Sequence, residues 1–464
     1  MTDTIPSLVL IGRVIQASDN GTERRLEVIH RARIDVLSNG VIARVEDVDE
    51  AEVSAIQASH PNVVVVPHPQ LIIPGLIDLH FHAPQLPQRG TRMDVPLATW
   101  LRDTTLPNEA RMSETAHAEK VAHRVVDRTL ALGTTTAVYF SSKHASASTA
   151  LANECRRRGQ RAFVGKVCMD NKELCSCSTT DACVCTEDSV DESIRETRTF
   201  INSFHHTSEE EDPLVQPIIT PRFIPSCSPA LLDQLGSLTR EFNLHMQTHA
   251  WESDWQVQHG LDTRDGARDL DLFSRHGLLA PRGTVLAHCV HATGPEIAAL
   301  AHLGVGVAHC ALSNALFANG ILPARTMLDA GVAVGLGTDV GGAWSCSILD
   351  ACRHAIVSSR ILRDGVGALR GGKPCLPNES ELTHVDAFWM ATVGGGRALK
   401  RRVGIRTGCK LDALVVDVDA PGSNIDVWPE LDTVEDLFQK FILLGDDRNI
   451  RRVFVDGKTV LQKE

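Results

Sequence analysis

Two histidines, His80 and His82, stand at the end of an apolar run over residues 71–82, and their spacing suggests metal chemistry. On a β-strand, residues two apart point to the same face. Both imidazoles can therefore reach one metal ion, at about 2.0–2.1 Å if the ion is zinc. Histidine pairs at this spacing also occur by chance at strand ends, so the interpretation depends on ligands from elsewhere in the chain.

Further polar side chains follow other apolar runs of β character. They are Arg222, His249, His288, His309 and Asp339. We expect the metal ligands to be His80, His82, His249 and Asp339. Three imidazoles and a carboxylate suit zinc, with one position left open for a water that becomes hydroxide near neutral pH. Any one of these histidines alone is more simply a satisfied strand-end residue, but the four together favour a metal site.

Two residues near these ligands could move protons. Glu252 lies three residues after His249 and could take a proton from the water and pass it to a leaving group, as hydrolysis requires. The alternative is a solvated loop glutamate. His288 could hydrogen-bond the attacking hydroxide or bind a second metal, and otherwise is a buried strand histidine. His309 is expected to be structural.

The runs that carry these residues alternate with segments of helical length. Eight are present, ending near residues 82, 140, 169, 223, 249, 289, 310 and 339. Eight strands alternating with helices predict an α/β fold, a (β/α)8 TIM-like barrel. Residues 113–132 have helical character and stop at Gly133. Barrel enzymes build their sites at the carboxyl ends of the strands, where the polar residues stand.

Short strands separated by polar turns occupy both ends of the chain. Residues 6–20, 26–70, 411–418 and 453–460 have this pattern, so we expect the two ends to form one small β-sandwich domain. The predicted division is an N-terminal part of this domain over residues 1–70, a catalytic barrel over 71–400, and a C-terminal part over 401–464.

Composition narrows the class of protein. The chain has 464 residues, 43% of them hydrophobic, and a formal charge of −12, which argues against a nucleic-acid surface. No apolar run approaches the ~18–20 residues of a membrane span. The first residues lack the basic and apolar parts of a signal peptide. The 13 cysteines are therefore expected to be reduced thiols in a cytoplasmic protein.

Several segments resemble the amidohydrolase superfamily and, within it, the guanine deaminases. The superfamily features are the His-x-His pair and the Gly-Thr-Asp turn of residues 337–339. The narrower ones are Gln85, the Pro-Arg-Phe of residues 221–223 and the Gly-Asp-Asp-Arg-Asn-Ile of residues 445–450. The similarity runs nearly end to end.

The resemblance implies zinc-dependent hydrolysis of guanine to xanthine and ammonia, with one zinc per subunit in a homodimer. By position, Glu252 would carry the proton, and His288 and Asp339 would stabilise and deprotonate the water. The residues implied to contact the purine are Gln85, Arg222, Phe223, His82, Glu252 and Asp339. Without the resemblance, Gln85 is a loop amide, Arg222 an ion-pair residue and Phe223 a core residue.

Departures from the family pattern keep the substrate open. Ala311-Leu312 stands where a Pro is usual, Trp251 is bulky for its position, and Cys289-Val-His291 replaces a turn that contains Gly. One alternative is deamination or dechlorination of another aminated purine, pyrimidine or triazine ring. A non-catalytic assembly protein on the same fold is another, although such a protein is expected to lose ligands.

Two further patterns lie outside the resemblance. A cytidine-deaminase-type site is set aside, since Pro374-Cys375 lacks the second cysteine of the P-C-x-x-C motif. Cys175, Cys177, Cys183 and Cys185 form two C-x-C pairs that could bind zinc, although the spacing differs from the usual C-x2–4-C.

Overall fold

The computed structural model describes residues 6–21, 23–172, 186–204, 212–318, 320–364 and 381–463. All eight predicted barrel strands are present and pair in parallel, in chain order. In order, barrel strands one to eight are Leu76–His82, Thr134–Phe140, Arg161–Gly165, Val215–Pro221, His245–Ala250, Thr284–His288, Gly306–His309 and Ala333–Leu336. A short strand, Val167–Cys168, also pairs with strand four.

Contacts between strand eight and strand one bring the barrel close to closure. The backbone N–H of Asp339 donates to the carbonyl of His80 at 2.8 Å. Asp78 in strand one accepts from the backbone N–H of Thr338 at 3.0 Å and from its hydroxyl at 2.6 Å. Burial raises the pKa of Asp78 to about 7. The residues that end strands one and eight are thus held side by side.

Apolar side chains from six barrel strands pack into one buried cluster. Its strand members are Ile77, Leu79, Val138, Phe163, Ile218, Val285, Ala287 and Ala308. Side chains from so many strands meet only inside a barrel, so this cluster fills the interior. A larger cluster packs the strands against the surrounding helices.

Helices connect successive strands. The predicted helix over 113–132 is confirmed as Thr115–Ala131, followed by Gly133 at φ 83°. A Cβ at Gly133 would lie 2.7 Å from Leu414 Cδ1, so close packing also favours glycine there. The other α-helices of the described residues are Glu50–Ser59, Leu97–Trp100, Leu106–Ala110, Ala145–Arg158, Val190–Asn202, Pro229–Glu241, Asp254–Thr263, Asp269–Arg275, Gly294–Leu303, Ala311–Phe317, Ala324–Asp329, Ile348–Asp364, His384–Trp389, Gly395–Ala398 and Val434–Leu444.

Shorter helical turns complete the connections. π-helical turns cover Leu101–Thr105 and Met390–Gly394, and 3-10 turns cover Ala83–Gln88, Arg111–Ser113, Ile224–Ser226 and Asp447–Asn449. None of the helices described combines the length and the apolar character that crossing a bilayer requires.

Strands from both chain ends form a second sheet, which confirms the predicted shared β domain. Its strands are Leu8–Asp19, Arg24–Val36, Ile42–Asp47, Val63–Val65, Leu71–Pro74, Ala413–Val416, Ile450–Val455 and Lys458–Gln462. Leu71–Pro74 joins the two ends, since it pairs with Leu8–Asp19 and with Ala413–Val416. The change from this sheet to the barrel falls at Gly75, where a Cβ would lie 2.1 Å from Thr135 Oγ1. The proposed domain limits stay a prediction.

Candidate active site

The predicted ligands converge at the carboxyl ends of the barrel strands. His80 and His82 close strand one, His249 lies in strand five, and Asp339 stands three residues beyond strand eight. All four side chains are buried. Nε2 of His82 lies 3.1 Å from Nε2 of His249. Oδ1 of Asp339 lies 3.3 Å from Nε2 of His80 and 3.5 Å from Nε2 of His82.

The protonation states of these groups favour metal binding. Burial lowers the pKa of His80 and holds those of His82 and His249 well below the ordinary histidine value, which favours the neutral form of each imidazole. Burial alone would raise the pKa of Asp339, but the facing imidazoles of His80, His288 and His82 hold it well below its usual range. Neutral imidazole and ionised carboxylate are the ligand forms that zinc requires.

Hydrogen bonding also leaves ligand nitrogens free to bind a metal. Nδ1 of His249 lies 2.6 Å from the carbonyl oxygen of Arg222, which only Nδ1–H can satisfy, so Nε2 keeps its lone pair. Nε2 of His80 is buried and forms no hydrogen bond of regular geometry among the described residues, although Oδ1 of Asp339 lies 3.3 Å away. An unpartnered buried nitrogen beside two other ligand nitrogens fits a metal centre.

Glu252 and His288 stand beside this centre. Oε1 of Glu252 lies 3.8 Å from Nε2 of His288, which lies 3.9 Å from Oδ2 of Asp339. Burial raises the pKa of Glu252. Nδ1 of His288 lies 2.8 Å from Oδ1 of Asn314, which fixes the ring. His288 thus lies between the glutamate and the ligand carboxylate, within 4 Å of both.

A second set of potential ligand atoms overlaps the first. His80, His288, Cys310 and Asp339 offer atoms within 4.8 Å of one another, as do His80, His82 and His249. His309 belongs to neither set, and burial lowers its pKa to about 4. Its structural role stays a prediction.

Left-handed backbone marks the strand ends that carry the site. Among non-glycine residues, φ is 45° at Trp251, 71° at His288 and 50° at Asp339. Such conformations cost free energy and concentrate at functional sites. Trp251 is fully buried in the core, and its backbone N–H donates to Asp269 at 2.8 Å. Both contacts stabilise the turn that follows strand five.

One pocket holds the predicted purine-contacting residues together with the metal-site residues. Gln85 reaches it from the 3-10 turn Ala83–Gln88, and Arg222 and Phe223 follow strand four directly. His82, His249, Glu252 and Asp339 line the same pocket. The structure therefore brings together every residue of the predicted site.

The site also contains residues that the sequence analysis did not predict. Phe140, at the end of strand two, packs its ring 4.7–4.8 Å from those of His80, His82 and His249; its place at a strand end could have indicated it. Further pocket walls are formed by Leu97, Trp100, Leu101, Trp255 and Phe317. These come from connecting segments, where chain position gives little indication of proximity.

Glu109 is a further residue that the sequence analysis did not predict, and it contacts two of the predicted residues, Arg222 and Gln85. Its carboxylate accepts from Nη1 of Arg222 at 2.5 Å, from Nη2 of Arg222 at 3.2 Å and from Nε2 of Gln85 at 2.7 Å. The four-cysteine segment with Cys175, Cys177, Cys183 and Cys185 lies outside the described residues.

A parallel eight-stranded barrel with histidines and a carboxylate at its strand ends defines a hydrolase with a candidate metal centre. Residues 71–460 match the amidohydrolase family, and the chain belongs to it. Within the family, the chain is similar to guanine deaminases. It is 34% identical to that of Dictyostelium discoideum, with 97% of each chain covered, and 35% identical to that of Mus musculus, with 94% of this chain and 93% of the other covered.

A solved structure gives the same result. A guanine deaminase from C. acetobutylicum with guanine bound in its active site superposes with a TM-score of 0.84 at 29% identity, covering 98% of this chain and all of the other.

Proposed function

We propose that this protein is a guanine deaminase, which hydrolyses guanine to xanthine and ammonia. The observation that carries the proposal is one pocket whose walls include two groups of side chains. Glu252 and the ligands His82, His249 and Asp339 form one group, and Gln85, Arg222 and Phe223 form the other. The similarity to guanine deaminases along nearly the whole chain, one of them solved with guanine bound, supports the same substrate.

The metal is proposed to be zinc, one ion per subunit, held by His80, His82, His249 and Asp339. The donor set of three neutral imidazoles and a carboxylate fits that ion. When bound, zinc lowers the pKa of a water so that hydroxide is available near neutral pH. The buried, unpartnered Nε2 of His80 supports a cation at this place.

The purine is proposed to lie between Phe223 and the polar groups of Gln85 and Arg222. A guanidinium matches the O6 and N7 acceptors of guanine, whereas adenine presents an amino group at position 6. The amide of Gln85 can both donate and accept, and the ring of Phe223 can stack on the base. His82, Glu252 and Asp339 line the side of the pocket where the reacting carbon would lie.

Glu252 is proposed to carry the protons of the reaction. The water oxygen bonds to the carbon that bears the exocyclic amine, the carbon–nitrogen bond breaks, and the amine leaves as ammonia. The Glu252 carboxylate takes one proton from the water and delivers it to the ring nitrogen beside the reacting carbon, and it then passes the second proton of the water to the departing amine. The burial that raises the pKa of Glu252 makes it a stronger base than an exposed glutamate. His288 and Asp339 accept hydrogen bonds from, and help deprotonate, the water.

A substrate panel tests the proposal. Ammonia release is measured with guanine, adenine, cytosine and an aminated or chlorinated triazine. Guanine is expected to have the highest kcat/KM. Turnover of another ring without turnover of guanine would replace this function by the alternative amidohydrolase activity. No turnover of any ring, with no bound metal, would favour a non-catalytic assembly protein.

We further propose a cytoplasmic homodimer. The eight described cysteines are free, buried thiols, which suits a reducing compartment. The dimer is an expectation from the family resemblance. Light scattering coupled to size-exclusion chromatography measures the mass directly, and a mass near 50.4 kDa, that of one chain, would contradict it.

A further inference from the structure

The carboxylate of Glu109 joins the two polar residues proposed to bind the purine. Glu109 lies in the helix Leu106–Ala110, within the connection from strand one to the helix Thr115–Ala131. Arg222 donates to both of its oxygens through two different nitrogens, in a forked arrangement. Gln85 donates to Oε1 of the same carboxylate. The side chains of Glu109 and Arg222 are 15% and 7% exposed, so water screens this ion pair weakly.

The contact with Glu109 decides which end of the Gln85 amide is available to a ligand. Only the amide nitrogen can donate to a carboxylate, so the amide oxygen must point the other way. That oxygen is buried and has no partner among the described residues. Gly341 packs against the same side chain: a Cβ there would lie 2.2 Å from Gln85 Oε1, so glycine leaves the room that this orientation of the amide needs. Gln85 is thus held as a hydrogen-bond acceptor in one orientation.

Arg222 is held in a comparable way. The fork of two hydrogen bonds fixes the plane of its guanidinium, which a single point contact would leave free to turn. The negative charge of Glu109 also compensates the positive charge of the buried guanidinium. Guanine carries no net charge, so a neutral pair suits it better than an isolated cation.

We propose that Glu109 is a positioning residue, which orients Arg222 and Gln85 for recognition of the purine edge. This inference rests on the proposed function, because it assigns those two residues to substrate binding. Glu109 is not among the pocket-lining residues and acts through its two neighbours. Loss of its carboxylate therefore weakens substrate binding more than the chemical step, since Glu252 and the ligand cluster are unchanged.

Steady-state kinetics with guanine test the proposal in Glu109→Gln, Glu109→Ala and a control, Glu119→Gln, on the exposed face of Thr115–Ala131. Glu109→Ala is expected to raise KM by roughly 10- to 100-fold, the range expected for misplaced binding groups, and to change kcat by less than about threefold. Glu109→Gln, which keeps an acceptor oxygen but no charge, is expected to lie between it and the wild type. The control should match the wild type. An unchanged KM in folded Glu109→Ala, or a fall in kcat alone, would overturn the inference.

Two further measurements separate this inference from the proposed function. In a Gln85→Ala background, Glu109→Ala should raise KM by a smaller factor than in the wild type, because one of its targets is gone. Additive effects would contradict a shared role. A crystal structure of Glu109→Ala needs no substrate and should show Arg222 and Gln85 turned from their present orientations. Unchanged orientations would overturn the inference, whereas wild-type protein that is inactive on guanine would overturn only the function.

Discussion

Nε2 of His82 lies 3.1 Å from Nε2 of His249, although the two residues are 167 positions apart in the chain. Both nitrogens are buried, and both rings have pKa values well below the ordinary histidine value because of that burial. Two neutral imidazoles that face each other across strands one and five have no favourable contact unless a proton or a cation lies near both. This pair is the geometric core of the candidate metal centre.

Metal content should therefore depend on the imidazole of His249. Purified wild type is expected to hold about one zinc per chain, and His249→Ala much less, because one of four ligands is lost. Elemental analysis of both proteins checks this. His276→Ala removes a histidine paired with Asp233 at a distance from the site and should leave the metal content unchanged. Full zinc occupancy in His249→Ala would contradict the ligand assignment.

Loss of the Glu252 carboxylate should abolish turnover without loss of metal. Glu252→Gln keeps the shape of the side chain but cannot accept a proton, so kcat is expected to fall by roughly 10²–10⁴-fold. The measurement is steady-state kinetics with guanine, together with zinc content. Turnover close to that of the wild type would exclude Glu252 as the proton carrier.

Asn314 should affect catalysis through His288. The 2.8 Å contact between His288 Nδ1 and Asn314 Oδ1 fixes the ring, so Asn314→Ala is expected to reduce kcat by roughly 10- to 100-fold. The neighbouring Ser313→Ala is the control, since the Ser313 hydroxyl donates only to the carbonyl of Cys310 in the contacts described. Equal effects of the two substitutions would show that helix stability, not orientation of His288, is responsible.

Asp269 should make stability depend on pH. Burial raises its pKa from 3.8 to about 6, although it accepts from Trp251 N–H and from Gln256. The folded protein thus holds this proton more tightly than the unfolded chain. Its contribution is fully present below pH about 3.8 and is lost as the pH rises through about 6.

The corresponding test compares free energies of unfolding at pH 5 and pH 8. Asp269→Asn cannot titrate and keeps an acceptor oxygen, so its stability relative to the wild type should increase by about 1 kcal/mol over this range. Asp271→Asn, exposed on the same helix, should show no such change. A difference of the opposite sign would contradict the raised pKa.

Ion pairs of Arg161 between the barrel and the segments beside the terminal sheet should contribute to the free energy of unfolding. It lies in strand three, is 1% exposed, and forms ion pairs with Asp412 at 3.0 Å, Asp456 at 3.5 Å and Asp212 at 3.7 Å. Arg161→Met removes the buried cation that the three carboxylates share, but Asp212 and Asp456 keep their pairs with Arg401 and Lys410. The expected cost is therefore roughly 3 kcal/mol, the low end for breaking a buried ion pair. Arg157→Met removes an exposed cation that pairs with Glu154 and should destabilise the protein far less than Arg161→Met. Denaturant unfolding of both variants checks the contrast.

The parts of the site that the sequence predicted share one physical basis. His80, His249 and Asp339 follow apolar runs, and the parallel pairing of those runs forces their ends together. The eight strands were predictable for the same reason, because each is a short apolar segment between helical ones. The ligand cluster thus followed from periodicity and strand order.

Residues outside that pattern were not predictable. Glu109 lies on a connecting helix, and its contact with Arg222, 113 positions away, depends on how that segment folds over the barrel. The hydrogen bond between Asn314 and His288 depends on side-chain geometry. Trp251, which is bulky for its position in the family pattern, lies in the core behind the turn. Packing of loops and side-chain direction determined these outcomes.

Hydrolysis of guanine in ¹⁸O-labelled water is the most direct test of the proposed function. Zinc-loaded wild type should produce xanthine that carries one ¹⁸O atom, together with one ammonia for each xanthine. Glu252→Gln should produce neither at a comparable rate. Guanine recovered unchanged after incubation with folded, metal-containing wild type would contradict the proposed function.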